Sequence, residues 1–215
     1  MSTTLFTAFL TEVLPFVHDC PQFVAVNALR NASIEFCERS HYWQVDASPV
    51  DVLAGTATYT IPVPAGTAMV EINQAWLKGQ LLIPQSAEVL TRIYRGVDWR
   101  TQTGPPAYIT ALNSNDVQLV LVPQISVAQG LTVRAVVAPT RASTGIDTFI
   151  YERQLEVIAY GARARLYGMS GQPYYDPQSS ELYRHRFMAG VNDARIKANR
   201  SISRAPISVE FQPFA

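Results

Sequence analysis

Four side chains have types that could bind a metal: His18, Cys20, Cys37 and His41. Cys37 and His41 stand four residues apart, one turn of a helix. If residues 21–42 form a single helix, though, the seventeen-residue separation of the two cysteines holds them roughly 25 Å apart. They can then share neither a metal nor a disulfide, and Cys37 reads as a buried thiol among apolar neighbours. No metal centre is expected.

A nucleophilic site needs a Ser or Cys beside a His and an orienting acid. The chain has three His and no Gly-x-Ser-x-Gly turn. Gly168-Met169-Ser170-Gly171 is one residue too short for that turn and reads as a helix end followed by a turn. No phosphate-cradling glycine loop occurs, and the carboxylates fall singly at helix starts and in loops instead of in facing pairs. The reading assigns no catalytic residue and no cofactor.

Basic residues are the remaining candidates. Arg163, Arg165, Arg184, His185, Arg186, Arg195, Lys197, Arg200 and Arg204 are interleaved with Tyr167, Tyr174, Tyr175 and Tyr183, a mixture used on nucleic acids and at protein interfaces. Glu152, Glu156, Glu181 and Asp193 offset them, and the whole chain balances 17 basic against 17 acidic residues. Such a molecule has no field to draw it onto DNA or an anionic membrane. Fifteen of the basic residues are Arg, whose weakly hydrated planar fork suits interfaces; a codon bias toward Arg would look the same. Arg163, Arg165, Arg184, Arg186 and Arg195 are therefore the candidates for a subunit interface or for the wall of a channel. A second aromatic group, Trp76, Tyr94, Trp99 and Tyr108, is either core or the exposed face of a carbohydrate- or protein-binding β module.

The elements that must carry these residues follow from periodicity. Phe6, Phe9, Leu10 and Val13 share one helical face up to Pro15, predicting a short amphipathic helix. Asp19 and Pro21 open a longer helix with Val26, Leu29, Ser33 and Phe36 on one stripe, ending near Tyr42. From Trp43 to about Gly145 the texture is Thr, Val and Pro with frequent turn residues, which reads as β. Strands are predicted over 58–63, 70–77, 81–83, 107–112, 117–122 and 131–138, with a hairpin at Lys78-Gly79 and a short helix capped by Ser86. After Asp147, Leu155, Ile158, Ala159, Ala162 and Leu166 mark a helix ending at Gly168. A last helix from Asp176 or Ser180 carries Tyr183, Phe187, Val191 and Ala194 inward to about Asn199.

The expected fold class is α+β: a four-helix bundle formed by the N- and C-terminal helix pairs, an inserted antiparallel β domain, and an extended C-terminal arm. The corresponding divisions are 1–43, 44–146, 147–200 and 201–215. In the last segment Ile207, Val209 and Phe211 alternate with Ser208, Glu210 and Gln212. It is a final edge strand, a disordered tail, or an arm that adds to a neighbour by strand pairing. The apolar runs are far short of the roughly 20 residues that cross a bilayer. Glu12 interrupts the first of them and no basic stretch precedes it, so no secretion signal is expected.

Gly104-Pro105-Pro106-Ala107-Tyr108, then 117–123 ending in Pro123, then 131–137, resembles the glycine-proline-tyrosine and strand phrasing of head-to-tail adaptors of tailed bacteriophages, the group that includes the tail tubular protein A family. The helical start ending in His41-Tyr42-Trp43, and the helix over 151–167 followed by Gln172-Pro173-Tyr174-Tyr175-Asp176-Pro177 and an Arg-rich helix, are similar to the ends of those proteins. Leu121-Val122-Pro123-Gln124 departs from the pattern by lacking a second proline. The resemblance implies a structural virion protein and no enzyme, present as a ring, commonly of twelve copies. That ring joins the portal protein to tail or nozzle proteins at the head-tail junction and continues the DNA channel, with passive contact to phage DNA. It implies no cofactor and no membrane, and assembly in the host bacterial cytoplasm. It also makes the terminal segment a portal-binding arm, with Ser201, Arg204, Ile207, Val209, Phe211 and Phe214 as its contact residues.

Overall fold

The structure is a computed structural model that describes residues 2–95, 97–113 and 115–200. The chain divides into two compact units: one is the continuous stretch Trp43–Thr144, the other combines Met1–Tyr42 with Gly145–Ala215.

The second of these opens with strand β1 (Thr3–Leu5) and a 3-10 helix (Phe6–Glu12), then helix α1 (Gln22–Ser40). After the intervening unit it resumes with β10 (Gly145–Asp147), α3 (Thr148–Tyr167) and α4 (Pro177–Arg200). α1 buries Ala25, Ala28, Leu29, Ala32, Phe36 and Cys37, a run at three- and four-residue steps that keeps one face inward. Its cap is Pro21, extended at φ −60°, and not Asp19, which is left-handed at φ 59°. It stops at His41, also left-handed. Asp147 caps α3 by accepting a hydrogen bond from the Phe149 N–H at 2.9 Å. Small residues let the three helices approach closely: a Cβ on Gly161 of α3 would lie 2.8 Å from the Phe187 ring of α4 and 3.0 Å from Ala32 of α1.

This is not the expected four-helix bundle. Phe6, Phe9, Leu10 and Val13 are all buried as the pattern required, but they lie on just over two turns of 3-10 helix and the turn beyond it. The cause is local. β1 pairs antiparallel with β10, Thr3 opposite Asp147 and Leu5 opposite Gly145, so the chain enters the segment extended, and no side chain caps its first turn.

The Trp43–Thr144 unit contains β2 (Gln44–Asp46), β3 (Val50–Val52), β4 (Thr58–Thr60), β5 (Thr67–Leu77), β6 (Gln80–Pro84), helix α2 (Ala87–Ile93), β7 (Tyr108–Ala111), β8 (Asp116–Val120) and β9 (Val127–Pro139). They form one eight-stranded sheet in the order β2-β9-β5-β6-β7-β8-β4, with β3 also on β9. Lys78 and Gly79 make the two-residue turn between β5 and β6, both at positive φ, as a tight hairpin requires.

The sheet is mixed, which corrects the antiparallel expectation. β6 and β7 run parallel, Ile83 opposite Tyr108. The physical reason is α2: a helix and a long loop between two neighbouring strands return the chain to its starting end, so the next strand must run the same way. Ser86 caps that helix through its hydroxyl and the Val89 N–H. Together the two units make an α+β chain with five helices, the 3-10 helix included, among the described residues.

Candidate functional site

Among the predicted interface arginines, α3 and α4 bring two, Arg163 and Arg186, together around a column of tyrosines. The Tyr160 and Tyr183 rings stack at 5.9 Å, and Tyr183 and Tyr167 at 5.8 Å. Tyr183 on α4 thus lies between two residues seven apart on α3, which share a face after two turns. Arg186 sets its guanidinium about the same rings, 5.7 Å from Tyr183 and 5.8 Å from Tyr160, within the range of a cation–π contact.

Arg163 is turned inward. It is only 4% exposed, and its Nε and Nη2 both donate to the Glu12 carbonyl, the first at 2.8 Å. The Glu12 carboxylate lies 3.6 Å away, and the guanidinium sits 3.6 Å over the Phe16 ring. The Tyr167 hydroxyl donates to the Phe16 carbonyl at 2.5 Å. Burial raises the Tyr167 hydroxyl above its usual pKa, with Tyr183 next among the causes, so it stays protonated as that donor. Together these bonds fasten the opening segment to α3.

Arg165 reaches Glu35 of α1 at 2.5 Å and the Asn31 carbonyl at 3.4 Å. Glu35 also holds Arg39 at 2.9 Å. Arg184 and Arg195 are exposed on α4. The five arginines therefore do different things: Arg163 is an internal tie, Arg165 and Arg186 are half-engaged at the surface, and Arg184 and Arg195 face solvent. The inward role of Arg163 had a signal in the sequence, since it falls on the same α3 stripe as Ala159 and Leu166. Glu12 and Phe16 as its neighbours had none, nor had Glu35 as the partner of Arg165.

The arm residues Ser201, Arg204, Ile207, Val209, Phe211 and Phe214 lie outside the described residues.

The second aromatic group is mostly core. Leu90, Trp99 and Val120 form a buried cluster with Tyr94 and Tyr108 packed against it; Trp99 is 2% exposed and carries Arg100 at 4.4 Å over its ring. Of the four aromatics, Trp76 alone stands outside this cluster, half-buried on β5. Close by in sequence, Gly104, Pro105 and Pro106 meet Pro123, Val52 and Leu77 around an open apolar hollow of about 210 Å³. Two separated pieces of the glycine-proline phrasing thus converge at one place in this unit.

The cysteines lie at opposite ends of α1. Cys20 is half-buried ahead of it and Cys37 fully buried in its last turns. Desolvation raises the Cys37 thiol far above its ordinary value, which keeps it protonated and unreactive.

The family described as SU10 adaptor protein matches this chain over residues 4–210, through both units. No curated protein matches it.

Proposed function

Because the chain belongs to the SU10 adaptor protein family, it is a phage adaptor and a virion component that interacts with other head and tail parts, and we propose that it works as a ring joining the portal to the tail. In this reading copies repeat one heterologous contact around a closed rotation, and the ring continues the DNA channel at the head-tail junction. The segment 201–215 reaches the portal, and assembly takes place in the host cytoplasm. The work is positional, with no reaction assigned.

The observation that carries the reading is the extent of the family match, which runs from residue 4 to residue 210 and leaves neither unit outside it. Two further features support it. The tyrosine column with Arg186 offers the residue types that dominate protein interfaces. The exact balance of charge over the chain suits a wall past which DNA slides without sticking. The β-module alternative loses its basis, because Trp99, Tyr94 and Tyr108 are engaged in a core cluster.

The test mixes purified protein with the portal of the same phage and follows mass by light scattering, with images of any large species. A stoichiometric ring on the portal is the expected result, lost on deletion of 201–215 while circular dichroism stays unchanged. A chain that ignores the portal at every ratio sinks the joining role; a deletion that still docks removes the arm from it.

A further inference from the structure

α4 has two usable faces. Phe187, Val191 and Ala194 are buried against the rest of its unit. On the opposite side a second pattern runs at seven-residue steps: Leu182, Ala189 and Ile196 are all exposed, with Leu182 and Ile196 each at 49%. His185 and Asn192 lie between them on the same outward stripe, and both are exposed. An apolar residue every second turn with small Ala189 at the centre is the surface on which another helix can cross closely.

The charges say which helix. Place a second α4 antiparallel, related by a two-fold axis through Ala189. Leu182, seven residues before the centre, then faces Ile196, seven after it, and His185 faces Asn192. Arg186 comes level with Asp193 of the other copy to within one residue of register, and Glu181 with Arg195 to within two, about 3 Å along the axis and within the reach of these long side chains. Both pairs occur twice, so the stripe complements itself in sign as well as in shape. A parallel arrangement would instead set Glu181 against Glu181 and Arg195 against Arg195. At present Glu181 meets His185 at 3.0 Å and Asp193 meets Lys197 at 2.6 Å, within the helix. Exposed pairs one turn apart are weak enough to be shared or exchanged.

We propose that the outward stripe of α4 docks a second copy of this chain, antiparallel and two-fold, centred on Ala189. A two-fold contact uses the same patch on both partners and closes on itself, so it cannot recur around a cyclic ring. The pair is therefore a form of the free protein that goes beyond the ring reading and does not depend on it.

Sedimentation of the full chain over a wide concentration range tests this directly. The expected species is reversible, with a mass about twice 23.8 kDa. Ala189→Arg, at an exposed position, should leave helicity and melting intact and abolish the pair. Glu181→Arg and Arg195→Glu should each weaken it about tenfold, and the double substitution should restore it. Most telling, the two single variants mixed should pair with each other better than either pairs with itself. A monomer at every concentration overturns the proposal. So does a dimer that ignores Ala189→Arg, or one in which the charge swaps show no rescue. Failure here leaves the portal-docking test unaffected, since that assay reads a ring on the portal.

Discussion

Arg163 shows how a charge survives inside a small helical unit. Its guanidinium is almost wholly buried, yet its Nε and Nη2 both bond the Glu12 carbonyl and its face rests on the Phe16 ring. Arg163→Met fills similar space but leaves that carbonyl without donors, and should lower stability by about 3 kcal/mol in urea unfolding. Arg163→Lys should recover less than half of the loss, because an ammonium lacks the planar fork and stacks poorly. Asp176 is the opposite case, a half-buried charge at a helix start. Hydrogen bonds from Ser179, then from Gln178, hold its carboxyl below the usual carboxylate range. A folded-state value below the unfolded one means that its contribution is complete above the unfolded value of about 4 and is lost as pH falls through the lowered value. The stability gap between the protein and Asp176→Ala should therefore be widest near neutrality and close on acidification, as thermal melts at a series of pH values would show.

At the level of elements, close helix approach depends on Gly161. A leucine there would push into both Phe187 and Ala32, which have no room to move in a packed interior. Gly161→Leu should cost about 3 kcal/mol and lower the melting temperature, measured by circular dichroism at 222 nm. The long elements were legible from sequence because each keeps a single period for many residues: α1, α3 and α4 declare themselves by their inward stripes, and β5 and β6 by the Lys78-Gly79 turn. What was not legible is non-local. β1, β2, β3 and β10 are three residues each, too short for any period to emerge. β1 is extended because of a partner 144 residues away, which turns the expected first helix into a 3-10 segment. The parallel β6–β7 pair depends on where α2 lets the chain return, and no alternation within either strand records direction. The site divides in the same way. The Arg and Tyr types were visible, and the place of Arg163 on the α3 stripe pointed inward, whereas its ties to Glu12 and Phe16 and the outward places of Arg184 and Arg195 were not legible.

For the molecule as a whole, the continuous unit has its ends tied to each other. The Val137 N–H donates to the Trp43 carbonyl at 2.9 Å, and β2 lies along β9 just beyond. A fragment of residues 43–144 should accordingly fold alone, giving dispersed amide resonances and its own cooperative melt, whereas 1–42 alone should stay unfolded for want of α3 and α4. A fragment that remains a random coil would count against autonomy of that unit. The pairing of Thr3 with Asp147 then acquires a meaning in time. On a ribosome adding about 5–20 residues each second, the first strand emerges roughly seven to thirty seconds before its partner exists, while the strands of the continuous unit find theirs as they leave the tunnel. The stretch around buried Phe6 and Phe9 spends that interval uncovered, so it is the apolar segment that chaperones and sibling chains meet for longest during synthesis.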